Sequence, residues 1–160
     1  MNHDSYSDAY LRAILKSVRV IAMVGASPHW NRPSYFAMKY LQDKGYRVIP
    51  VNPQALGQEI LGEKVYGDLS EVPEKIDMVD IFRRSEAAPA LVDQAIARGA
   101  KIVWMQLGVR NDAAAAKAEA AGLKVVMNRC PKIEYSRLNG ELAWSGVNTG
   151  IISSKRQKRA

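Results

Sequence analysis

Apolar residues along this chain switch regularly between two spacings, and the switches lay out its elements. Over residues 7–18, Leu11, Ile14, Leu15 and Val18 recur on one helical face, with Asp8 in the first turn and Lys16 near the end, as the helix dipole favours. Residues 19–24 then form a short, continuous apolar run of the kind seen in strands covered on both faces. Gly25-Ala26-Ser27-Pro28 breaks that run. A second helix is predicted over 33–44, with Phe36, Ala37, Tyr40 and Leu41 as its buried stripe. Pro33 suits its first position, where a missing N–H costs nothing, and Gly45 ends it. Residues 47–51 are the second strand, halted by Asn52-Pro53. A looser stretch follows, with a strand-like Lys64-Val65-Tyr66 and a short helical turn or loop at 71–75.

The same alternation continues to the other end. Residues 77–82 read as the third strand, and 87–98 as a helix burying Ala88, Leu91, Val92, Ala95 and Ile96, closed by Gly99. Residues 101–107 are the fourth strand. Asn111 is placed to cap an alanine-rich helix running to Ala121, and alanine both favours helix and lets it pack close to a sheet. After Gly122 comes the fifth strand, 123–127, then a short helical turn beyond Pro131 and an irregular basic end. Strands separated by helices run parallel through right-handed crossovers. The expected fold class is therefore α/β, a doubly wound five-stranded parallel sheet in a three-layer αβα stack. Residues 1–140 would form the domain and 141–160 a basic, flexible tail. Ligands of such sheets sit outside the carboxyl ends of the strands, where the strand order reverses.

Composition narrows the function. A chain of 160 residues fits one domain with a sizeable core, and 48% hydrophobic with 24% charged residues is ordinary for a soluble protein. The net charge is +7, but Lys155, Arg156, Lys158 and Arg159 stand in the last six positions. The remaining 19 basic residues face 16 acidic ones, a mildly basic body that suits an anionic ligand. The tail leaves open an adaptor role toward nucleic acid or an acidic protein, although no aromatic residues interleave its charges. A single cysteine, Cys130, excludes an internal disulfide and a multi-cysteine metal site, and no metal is expected. The N-terminus is polar and no apolar run reaches the roughly 18 residues of a membrane span, so the expectation is a cytoplasmic protein. His3 is expected in a mobile terminus.

The residues after each strand are the unusual ones. In the loop after the first, Gly25 permits a tight turn and close approach of backbone to a phosphate. Ser27 and Ser34 offer hydroxyls, Arg32 a charge, and the following helix its first amides. The same features also fit an ordinary turn in which Ser34 caps its helix. The loop lacks G-x-G-x-x-G, and the second strand ends in Val51-Asn52-Pro53 without the acid that holds a ribose 2′-hydroxyl, which weakens an NAD(P)-type oxidoreductase reading without removing it. Asn52 fits either a sugar or base contact or a simple turn. Phe82-Arg83-Arg84 could bind phosphate and stack on a base, or leave its arginines in solvent. Gln106-Leu107-Gly108 and Asn128-Arg129-Cys130-Pro131 complete the series.

In this order, these stretches resemble the small CoA-binding domain family, whose members are similar to the Rossmann-like CoA domain of succinyl-CoA synthetase. The resemblance covers residues 15–135 and rests on 24–27 with 32–34, 50–53, 79–83, 104–108 and 128–131. It implies coenzyme A or acyl-CoA as the ligand of a non-catalytic module, regulatory or carrier in kind. By that resemblance Gly25, Ala26, Ser27, Arg32 and Ser34 would hold phosphates. Asn52, Pro53, Phe82 and Arg83 would line the nucleotide, while Gln106, Gly108, Asn128, Arg129 and Cys130 would lie near the pantetheine arm. Position 128 is Asn where the family pattern has Asp. No catalytic residue is assigned: His29 has no carboxylate nearby in sequence, and Cys130 is read as a packing residue or as a thiol able to exchange with that of CoA.

Overall fold

Five short strands, β1 (Val20–Val24), β2 (Arg47–Val51), β5 (Met78–Ile81), β6 (Ile102–Met105) and β7 (Lys124–Val126), form one parallel sheet in the order β2-β1-β5-β6-β7. The computed structural model describes residues 1–140, so the expected basic tail lies outside the described residues. The strand order reverses between β1 and β5. Chain that leaves β1 toward β2 must return across the sheet to reach β5, which opens a crevice at that boundary. Among the described residues no helix is long and apolar enough to cross a membrane.

Each face of the sheet carries its own core, because side chains alternate along a strand. On one face Val24, Ile49, Ile81 and Val103 pack under α3 (Ala88–Ala97) and α4 (Asp112–Ala120). The buried side of α4 is alanine throughout, Ala114, Ala115 and Ala118, and Asn111 Oδ1 caps it from the Ala114 amide at 2.9 Å. On the other face Ile21, Met23, Met78 and Trp104 pack under α1 (Asp8–Ser17), α2 (Pro33–Asp43) and α5 (Pro131–Leu138). This is the expected three-layer α/β arrangement.

Some expectations change. Ser34, Ala37, Met38 and Leu41 form the buried stripe of α2, spaced i, i+3, i+4 and i+7, whereas Phe36 lies off that face and is 48% exposed. In the connection from β2 to β5 a small antiparallel hairpin, β3 (Glu59–Ile60) and β4 (Glu63–Lys64), stands where a strand-like 64–66 was expected. Tyr66 instead bridges Val51 and covers the outer edge of β2. Further on, a 3-10 turn occupies Leu69–Glu71, and the half-buried Arg98 guanidinium fastens this connection by donating to the carbonyls of Leu69, Val72 and Glu74.

The N-terminal arm is ordered, contrary to expectation. His3 is buried, with Nδ1 2.7 Å from the Tyr6 hydroxyl and Nε2 3.3 Å from Glu119. The arm finds partners because β7 is an edge strand with unpaired backbone groups. The Tyr10 hydroxyl donates to Val125 O at 2.9 Å and accepts from Val125 N at 3.1 Å, and the Tyr6 hydroxyl accepts from Met127 N at 2.8 Å. Two phenols thus stand in for a sixth strand.

Candidate functional site

The loop leaving β1 is shaped by hydrogen bonds within it. Gly25 has φ +92°, and a Cβ added there would fall 2.2 Å from Phe82 O, so the turns after β1 and β5 touch across the crevice only because this residue is glycine. Ser34 Oγ accepts from Ser27 N at 3.0 Å, and Ser27 Oγ accepts from His29 N at 3.1 Å. Ser34 is buried and braces the loop; it does not cap α2. Asn52 donates to Ala26 O at 2.9 Å and accepts from Gln54 N at 2.9 Å, which joins the turns after β1 and β2. Both readings of Asn52 meet here, because it is a turn residue whose side chain also lines the resulting cavity.

That cavity, of about 500 Å³, brings together Gly25, Ser27, Arg32, Asn52, Phe82 and Arg83, with Pro53 at its side. Its charge is one-sided. Arg32 occupies the N-cap of α2, and no acid stands in the first turn of that helix. A cation at the positive end of a helix is unfavourable unless an anion offsets it. Among the described residues neither Arg32 nor Arg83 has a carboxylate partner. Pro33 has no N–H and Tyr35 N already donates to Arg32 O, so it is the two guanidiniums, backed by the positive end of α2, that can hold a multiply charged anion.

The groove continues past this cavity. Phe82 and Arg83 also line a second one of about 570 Å³, which reaches Gln106, Leu107 and Gly108. Pro33 and Gln106 are shared in turn with a third, of about 290 Å³, which reaches Phe36, Cys130 and Ile133. The three lie in series along the carboxyl ends of the strands.

Not every expected residue faces the groove. Ala26 is buried behind the loop. Asn128 holds φ +59° and accepts from Gly108 N at 2.7 Å through Oδ1, so it positions the turn after β6 and lines none of these cavities. Arg129 turns to the N-terminal arm, donating to Asp4 O at 3.2 Å with its guanidinium 5.1 Å from the Tyr6 ring centroid. Cys130 lines the third cavity, but burial pushes its thiol up, outweighing the Gln106 side chain and the first amides of α5. That holds it as a neutral thiol and makes it a sluggish nucleophile.

Sequence reasoning missed several residues: Gln54 and Gln58 on the first cavity, and Phe36 and Ile133 on the third; Leu107, which lines the second, was read within the strand-end series but given no role. It also passed over Asp80, fully buried in mid-β5 with both carboxylate oxygens unpartnered, which burial alone raises well above the ordinary carboxyl range. Its signal was available as an acid inside the run Met78-Val79-Asp80-Ile81-Phe82.

The family model described as CoA binding domain matches residues 19–136. YneT of Bacillus subtilis (strain 168) is 36% identical over 130 residues, covering 81% of this chain and 95% of that protein. A solved protein from Pyrococcus horikoshii OT3 superposes with a TM-score of 0.81 at 43% identity, covering 88% of this chain and 97% of the other. The acetate–CoA ligase [ADP-forming] I subunit alpha of Pyrococcus furiosus is 32% identical over 87 residues, 52% of this chain and 19% of that subunit.

Proposed function

Since the chain belongs to the CoA-binding domain family, we propose that it binds coenzyme A, free or as an acyl thioester, along the groove at the carboxyl ends of its strands. The observation that carries this reading is the uncompensated cationic cavity, with Arg32 at the positive end of α2 and Arg83 beside it. Coenzyme A carries a pyrophosphate and a 3′-phosphate, and such groups offset both guanidiniums and the helix end. Phe82 offers an apolar wall beside the nucleotide. The second cavity, with Gly108 on its lining, suits the uncharged pantetheine arm.

In this reading the chain is a binding or carrier module. Its match to the acetate–CoA ligase subunit spans a small part of that subunit, and no ligase step is assigned to the residues here. Asn52 is neutral where an acid would repel a phosphorylated ribose, which favours CoA over NAD. Isothermal calorimetry with CoA, dephospho-CoA and NAD tests the reading. CoA should bind, lose affinity without its 3′-phosphate and outcompete NAD. Preferential binding of NAD would overturn it.

A further inference from the structure

Resting on the CoA reading, we propose that the third cavity is an acyl pocket, and that the preferred ligand is the thioester of a short aliphatic acid rather than free CoA. The cavity adjoins the arm's cavity through Pro33 and Gln106, so it lies where a chain continuing past the arm would go. A free thiol has no use for about 290 Å³ of space in which Phe36, Ala37 and Ile133 supply an apolar wall beside the polar Asn31 and Lys132. Phe36 and Ile133, which are 48% and 41% exposed, form that wall, and the fold's own core does not require either of them.

A second observation points to a ligand at the same place. Gln106 is only 9% exposed, and its Oε1 has no hydrogen-bond partner. A buried acceptor left without a donor is costly. Gln106 stands at the junction of the second and third cavities. The last amide N–H of the pantetheine arm, two methylenes before the sulfur, is a donor of the right kind for that junction. With it bound to Gln106, the thioester and its acyl chain enter the pocket between Phe36 and Ile133. Cys130, held as a neutral thiol on the lining, adds a soft apolar surface there, while the charged Lys132 on the same lining lies with Nζ 5.8 Å from the Tyr40 ring centroid.

Calorimetric titration of the full chain with CoA, butyryl-CoA and palmitoyl-CoA provides the test. One fully buried methylene is worth about fourfold in affinity, so half-open walls around a butyryl tail should favour butyryl-CoA over CoA by about tenfold. Palmitoyl-CoA should gain nothing further, because the pocket is short. In the Phe36→Ala/Ile133→Ser double variant, the butyryl-to-CoA ratio should fall to near one, and in Phe36→Leu it should persist. Equal affinity for CoA and butyryl-CoA in the unmodified protein, or a preference surviving in the double variant, overturns the acyl pocket and leaves CoA binding standing. Failure of both ligands to bind overturns the CoA reading itself. If sedimentation shows a dimer that the double variant dissolves, and no acyl preference exists, the apolar face belongs to a second copy of the chain and the proposal falls.

Discussion

Gly25→Ala isolates the contact on which the crevice depends, and Gly122→Ala supplies its control. Both glycines hold φ +92°. At Gly122 an added Cβ would meet nothing within 4 Å, so alanine there suffers only the left-handed backbone penalty, about 1–2 kcal/mol. At Gly25 the same Cβ falls 2.2 Å from Phe82 O and 2.9 Å from Phe82 C. Neither backbone can move aside alone, since Gly25 N donates to Val51 O at 2.8 Å and Phe82 N donates to Val24 O at 2.8 Å. Relief requires parting the ends of β1 and β5, an overpacking cost of about 2–3 kcal/mol beyond the backbone term. Urea unfolding at unchanged m should therefore show Gly25→Ala less stable than Gly122→Ala by that difference, or roughly 4–12 °C in Tm for a chain of this size. Parting those strands also moves Arg83, so CoA affinity should fall in Gly25→Ala and hold in Gly122→Ala. Equal stability losses in the two variants would refute the argument that the turns after β1 and β5 are in forced contact.

Three further outcomes follow from the same structure. Arg32→Ala and Arg83→Ala should each weaken CoA binding by about 1–3 kcal/mol in calorimetry at fixed salt, and unchanged affinity in both would displace the phosphates from the first cavity. Burial raises the Asp80 carboxyl in the folded state, so the native protein keeps a proton that the unfolded chain releases above about pH 4. Stability from this group is then whole below that pH and declines as pH rises toward the elevated folded value, and thermal melts of Asp80→Asn should show the decline flattened. Arg98→Ala removes three bonds to backbone carbonyls of the connection between β2 and β5, and should cost about 2–3 kcal/mol in urea unfolding.

The alternation of apolar runs and helical stripes was enough to place all five main strands and four of the five helices, because each buries a continuous face and so must repeat its pattern. Where burial is partial the pattern weakens. Phe36 fits a helical stripe as well as Met38 does, and only the docking angle of α2 decides which of them faces the sheet. The hairpin of β3 and β4 is too short to show a period. The strand-end residues were legible as a group because topology forces them to one edge. Their individual roles were not, since Asn128 and Arg129 are adjacent in sequence yet one braces the Gly108 turn and the other reaches the N-terminal arm. His3 and Tyr6 carried no signal at all, because their partners Glu119 on α4 and Met127 just past β7 lie more than a hundred residues away.

The tyrosines that close the outer side of β7 have a bearing on how copies of this chain behave toward one another. A bare strand margin invites a neighbouring molecule to extend the ladder, and aggregation begins from such margins. Here the guard is two phenol hydroxyls, one from Tyr6 on the N-terminal arm and one from Tyr10 in the first turn of α1. Replacing both tyrosines by phenylalanine keeps the rings against the core and removes only the hydroxyls, so the variant should stay folded when dilute yet self-associate in sedimentation as its concentration rises.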